Sequence, residues 1–250
     1  MKYLLGLLLI STIAFGAYIP KNFTKAKEMS VRLYYTHHMT SFYTDSEMKP
    51  IVYIGKKKFP YKSTLILQLG LINSPYTGSK YVARGQKIEW EHIVPASWFV
   101  TVNEEIRSAY EDGDPRCVTS KGKSYKGRKC AEKVSVLFNK MEADMYNLVP
   151  VIGALNAMRI AKPYSIIDGE AREFGDTIDV EITTKFIEVM PSKRGNVARI
   201  MKYMHKKYGV TFPNHIETIN MLDQWDADDV EDDWEFKKKE ILNKTYGMEF

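Results

Sequence analysis

The N-terminus decides how much of this chain is available to fold. Residues 1–16 read MKYLLGLLLISTIAFG, with Lys2 as the positive charge, an apolar run over 3–13, and a small-x-small exit at Ala14-Phe15-Gly16. That is the layout of a secretory signal peptide. The run is shorter than the ~20 apolar residues a transmembrane helix needs. The sequence therefore predicts a removable signal over 1–16 and one mature domain over 17–250, secreted or periplasmic, with no stable membrane association. An uncleaved anchor is the rival reading.

Export bears directly on the two cysteines, Cys117 and Cys130. In an oxidising compartment they are expected to pair, closing the polar loop CVTSKGKSYKGRKC. Closing a loop of this size stabilises by ~3 kcal/mol, mainly by restricting the unfolded chain. No CxxC or neighbouring His pair supports a zinc site on these thiols.

The charge is segregated. Residues 223–235 (DQWDADDVEDDWE) hold 8 acids and no bases, and the rest of the mature chain carries 35 basic against 23 acidic residues. A basic body points to a polyanionic partner. The acidic segment lacks the Gly and terminal Glu spacing of a calcium loop, so it reads as a solvated helix entry or an acidic rim.

Periodicity gives a coarse map. Asn22 or Thr24 caps a helix that runs through AKEMSVRLYYTHH, in which the consecutive His37 and His38 face different directions. Strands are expected at 51–54, 65–72 and 87–93, with turns after Gly55 and at 73–78. The stretch 101–129 reads as a long polar loop. Helices follow over 137–145, 195–208 and 230–246, with Gly209 ending the second. With no repeat or linker, one α+β domain is the simplest account.

Three stretches gather chemistry: KIEWEHIVPASWF just after Arg84, KGRKC, and KMEADMYNLVPVIGALNA. Phosphodiester hydrolysis needs a base that works near neutrality and a cation to offset charge on the phosphate and leaving oxygen. His92 suits the base. Glu91 and Asn147 are oxygen donors suited to a hard divalent cation. Arg128 offers a rigid fork of donors to a phosphate. Arg84, Lys126 and Lys129 are further candidates for phosphate contact. One tension stands in this scheme: Glu91 and His92 are adjacent, and adjacent residues of a regular strand point to opposite faces.

The same stretches, in the same order, resemble the bacterial endonuclease I family of extracellular and periplasmic nucleases, which belongs to the ββα-metal (His-Me finger) superfamily. The likeness continues in RGNVARIMKYMHKKYG and, more loosely, in DDWEFKKKEILNKTYG. The resemblance implies an α+β domain with a ββα-metal core surrounded by helices. It implies Glu91 and Asn147 as ligands of Mg²⁺ (or of Ca²⁺ or Mn²⁺), with the helix over 137–145 delivering Asn147. It also implies His92 as general base and Arg128 on the cleaved phosphate. A monomer is expected, cutting DNA, and in some members RNA, without sequence preference to leave 5′-phosphate ends. The chain departs from the pattern at Tyr146, where many members have His, after Asn156, where Ala-Met-Arg replaces a Gly-Asp-Arg type of sequence, and in holding a single cysteine pair. The alternative is a non-catalytic secreted DNA-binding or uptake protein, for which the base and metal-ligand residues would be superfluous. A metallohydrolase acting on lipid or peptide finds no HExxH or His-rich cluster to support it.

Overall fold

The computed structural model describes residues 19–55, 64–72, 81–169 and 172–250. The signal expected over 1–16, the lysine-rich turn after Gly55 and the turn at 73–78 lie outside the described residues. Among the described residues, no helix is long and apolar enough to cross a membrane.

Helix α1 (Phe23–His37) begins where Asn22 accepts a hydrogen bond from the Lys25 backbone N–H, satisfying one of the helix's unpaired first-turn donors. Strands β1 (Met48–Gly55) and β2 (Thr64–Leu71) form an antiparallel pair. A short helix α2 (Val82–Gly85) leads into β3 (Ile88–His92). The chain then leaves the sheet for a long excursion: a 3-10 turn (Ala96–Thr101), α3 (Glu104–Glu111), α4 (Arg128–Val134) and α5 (Val136–Glu142). It returns as β4 (Leu148–Ile152), antiparallel to β3, with His92 opposite Leu148 and Ile88 opposite Ile152. Helix α6 (Gly153–Arg159) follows β4 without a loop. A small pair, β5 (Val180–Ile182) and β6 (Ile187–Val189), precedes α7 (Arg194–Tyr208), α8 (His215–Asp228) and α9 (Asp233–Tyr246). The architecture is α+β.

Strand β4 is buried along its whole length, and Phe99, Phe138, Met141, Met145 and Leu155 pack in the same core. Burying each such side chain contributes ~1.5–3 kcal/mol. Helix α7 turns Val197, Ile200, Met201 and Met204 inward, as its spacing predicts, and Gly209 ends it at φ 74°. Cys117 and Cys130 are bonded, with Cα atoms 5.4 Å apart.

Two expectations need correction. The stretch 101–129 is not loop throughout, because α3 occupies part of it, with the Asn103 side chain accepting from Ile106 N–H. Only Ile106 and Ala109 of that helix are buried, too few apolar residues to reveal a helical period. The helix expected over 137–145 ends at Glu142, so Asn147 comes from the turn before β4 rather than from a helix. The acidic segment is largely the end of α8 and the cap of α9. There Asp232 and Glu235 form a reciprocal capping box, and Asp226 and Glu235 pair with Arg199 of α7.

Candidate active site

A cleft of about 690 Å³ opens along β3. Every residue from Lys87 to His92 lines it, joined by Phe23 and Lys27 of α1, Arg128 of α4, and Asn156 and Ile160 at α6. The cleft touches each successive residue of β3, so side chains from both faces of the strand border it. This is how the adjacent Glu91 and His92 open onto one space.

His92 is buried, with Phe23's ring 4.7 Å away and Phe99 edge-on at 6.4 Å. Its Nε2 lies 2.9 Å from the Glu142 carbonyl oxygen. A carbonyl only accepts, so Nε2 carries the hydrogen and Nδ1 keeps its lone pair. Burial, reinforced by the positive charge of Arg128, lowers the imidazole pKa to about 3. At neutral pH the ring is therefore uncharged.

Glu89 and Glu91 share one face of β3, two residues apart. Asn156 and Arg159 share one face of α6, three residues apart. The two rows meet: Asn156 Nδ2 donates to Glu89 Oε2 at 2.9 Å, and Arg159 Nη1 donates to Glu91 Oε1. Gly153 is required for this approach, since a Cβ there would stand 2.7 Å from Glu89 Oε1. Burial pushes the Glu91 carboxyl above its usual range, and Arg159 pulls it back. Among the described residues, Glu91 Oε2 and Asn156 Oδ1 accept no hydrogen bond, and both residues line the cleft.

Arg128 opens α4, just after Gly127 at φ 82°, a conformation that favours glycine. Its Nε donates to the Glu142 carboxylate, and its guanidinium lies 4.8 Å from the Phe23 ring. Its Nη2 is buried without a hydrogen-bond partner among the described residues. Glu142 thus serves two groups, His92 through its carbonyl and Arg128 through its carboxylate. Burial raises that carboxyl to about 7 despite the arginine.

The remaining predicted site residues divide. Asn147 is not in the cleft. Its Oδ1 accepts from Val94 N–H at 2.8 Å and its Nδ2 donates to Val94 O at 3.0 Å, so the amide is consumed in extending the β3–β4 ladder. Asn156 does line the cleft, as do Glu89 and Glu91, and it keeps an amide oxygen without a hydrogen bond among the described residues. Arg84 is spent on Glu89, with Nε 2.7 Å from Oε1. Lys126 donates to the Glu111 carbonyl at 2.5 Å and lines a separate hollow, away from the cleft. Lys129 is exposed, pairs with Glu132 at 2.7 Å, and borders a second cleft that shares Phe23, Lys27 and Arg128 with the first.

The Endonuclease I family matches residues 19–249. The chain belongs to the Endonuclease I family. Among its relatives, the periplasmic deoxyribonuclease of Aeromonas hydrophila is 30% identical over 246 residues, covering 97% of this chain and 90% of the relative. An extracellular deoxyribonuclease of the same species is 29% identical, covering 91% and 86%. Endonuclease-1 of Buchnera aphidicola subsp. Acyrthosiphon pisum (strain APS) is 27% identical, covering 91% and 78%.

Within this family member, sequence reasoning passed over Phe23, Glu142, Asn156 and Arg159 as site residues. The i,i+3 spacing of Asn156 and Arg159 was the available signal in the sequence; the pairing of the preceding strand with β3 is seen only in the structure. Phe23 and Glu142 carried none, since a helix-start phenylalanine and a backbone carbonyl look ordinary in sequence.

Proposed function

We propose that the protein is an exported, sequence-nonspecific DNA endonuclease. In this reading His92 is the general base, and a hard divalent cation such as Mg²⁺ sits on Glu91 and Asn156. The observation that carries this reading is the neutral His92, with Nδ1 unprotonated, in one cleft with oxygen donors and an incompletely paired arginine. The names of the two Aeromonas relatives favour DNA as substrate and action outside the cytoplasm.

The donors fit such an ion. A carboxylate and an amide oxygen suit Mg²⁺, Mn²⁺ or Ca²⁺. Among the described residues, no group of three or more His, Cys, Asp or Glu side chains is gathered to hold a metal. With Glu91 and Asn156 as its protein ligands, such an ion would keep positions for water and phosphate oxygens. When bound, the cation offsets charge on the phosphate and on the departing 3′ oxygen. His92 Nδ1 takes the proton of the attacking water while Nε2–H stays on the Glu142 carbonyl. Arg128 turns part of its fork from Glu142 to a phosphate oxygen. Phe23 keeps bulk water from the imidazole. The β3–β4–α6 unit is the ββα-metal core in this account, and the products end in 5′-phosphates. Binding through the backbone should weaken steeply with salt and depend little on sequence.

Plasmid and RNA digestion by the purified chain, with Mg²⁺ and with EDTA, tests the reading. Wild type is expected to cut plasmid and EDTA to stop it. His92→Ala is expected to lose about 10²–10⁴-fold in rate while still shifting plasmid on a gel. Wild type that shifts plasmid but leaves it intact is instead a DNA-binding protein.

A further inference from the structure

A guanidinium buried as completely as that of Arg159 needs a reason, because an apolar residue of similar volume packs at lower cost. Arg159 donates to Glu91 Oε1, to the His92 carbonyl at 2.6 Å and to the Ile93 carbonyl at 2.7 Å. Tyr164's ring lies 4.6 Å from the guanidinium, and Tyr164 is itself hydrogen-bonded to Tyr43 at 2.8 Å. The burial is not fully compensated, since Nε has no partner among the described residues.

The backbone beside Arg159 is also held against local preference. Ile160, which follows it, has φ 59° and ψ −100°, is 73% exposed, and lines the mouth of the cleft. A β-branched residue at positive φ is strained and persists where surrounding contacts over-determine it. The contacts next to it are those of Arg159, and all three fall on β3 or its immediate exit. They bind the Glu91 side chain and the His92 peptide to one rigid plane.

We infer that Arg159 is a positioning residue, which fixes the Glu91 carboxylate relative to the His92 backbone so that two adjacent strand residues keep one working geometry. The inference rests on the proposed roles of Glu91 and His92. Arg159 touches no substrate. One Glu91 oxygen is anchored by the fork, and the other accepts no hydrogen bond among the described residues. Lysine keeps the charge but loses the planar fork, so it cannot reproduce the three contacts.

The test measures kcat and KM on plasmid, melting temperature, and Mn²⁺ binding by calorimetry without DNA. Arg159→Lys is expected to lower kcat and weaken Mn²⁺ binding by about 10- to 100-fold each, with KM for DNA changed less than about threefold. Tyr164→Ala removes the ring under the guanidinium but leaves the three hydrogen bonds. It is expected to lower the melting temperature yet keep kcat within about threefold below that temperature. Retention of both kcat and Mn²⁺ affinity in Arg159→Lys overturns the inference, as does equal loss in Tyr164→Ala. Should the lysine variant not fold, Arg159→Gln is measured against the same thresholds. Glu91→Ala separates the two ideas. Unchanged Mn²⁺ affinity there overturns the ligand role of Glu91, whereas weakened affinity beside an unaffected Arg159→Lys overturns the positioning role alone.

Discussion

Two clusters of charged side chains lie in this molecule, and they are finished to different degrees. In the helical half, Arg199 of α7 meets Glu235 at 2.9 Å, Asp226 at 2.9 Å and the Asp229 carbonyl at 2.6 Å, and Lys202 bridges Asp223 and Asp226. Every nitrogen of that guanidinium is used. At the cleft, by contrast, Arg128 leaves Nη2 unpaired, and Glu91 and Asn156, which line it, each leave an oxygen without a hydrogen bond among the described residues. Unmet hydrogen-bonding capacity is costly inside a protein. At the cleft it falls where the proposed cation and phosphate would bind. The satisfied cluster holds α7, α8 and the start of α9 together, and has nothing left to offer a substrate.

The contrast breaks if Arg199→Met impairs catalysis. That substitution strands the buried Glu235 and is expected to cost about 3–5 kcal/mol of stability, with kcat unchanged well below the lowered melting point. Denaturant unfolding and a plasmid assay on the same sample check both halves.

Lys238 of α9 is another buried basic group, donating to the Tyr146 and Leu148 carbonyls at 3.2 Å each. Burial lowers its pKa from 10.5 to about 7, against the pull of Glu235 and Asp144. The unfolded chain holds this proton more tightly than the folded one. Stability from this group is thus full above its ordinary pKa and is lost as pH falls through about 7. Relative to Lys238→Met, wild type should lose on the order of 2 kcal/mol between about pH 9 and pH 7, and parallel unfolding curves for the two proteins would remove the lysine from the comparison.

The two asparagines sharpen the contrast within the site. Asn147→Ala orphans the Val94 N–H and C=O and should lower stability by about 2 kcal/mol with a modest effect on rate. Asn156→Ala should do the reverse, cutting the rate at limiting Mg²⁺ by about 10- to 100-fold with little change in melting temperature. Swapped outcomes would restore Asn147 as the ligand.

The smallest effect concerns Lys27, whose ammonium lies 4.6 Å from the Phe23 ring between the two clefts. Lys27→Ala should reduce the slope of log affinity against log salt by about 1 and leave kcat intact, as titrations at several salt concentrations will read.

Much of this was legible beforehand. Asn22, Gly209 and the 3.6-residue period of Val197, Ile200, Met201 and Met204 specify their helices through local chemistry, and the structure follows them. His92, Glu91 and Arg128 were singled out because their residue types suit one reaction, and the structure places all three on one cleft. Asn147 has the residue type and the position near the motif, while its side chain bonds the Val94 backbone outside the cleft. Type and spacing do not reveal whether an amide is already hydrogen-bonded. Nor does local sequence reveal that side chains from both faces of β3 border one cleft, since that depends on where β4 pairs and on what covers the other side.

The pairing of Asn147 with Val94 has a consequence beyond the strand register. Everything between Ile93 and Asn147 leaves and re-enters the core at a neck cinched by that one amide, and the Cys117–Cys130 bond draws a second stitch farther out. From this pouch come Arg128 and Glu142, the parts that would grip a phosphate and orient the base. The floor of the cleft belongs to β3 and α6. The pouch is stitched at its neck yet seated on the body, because its Phe99, Phe138, Met141 and Met145 share the core beside β4.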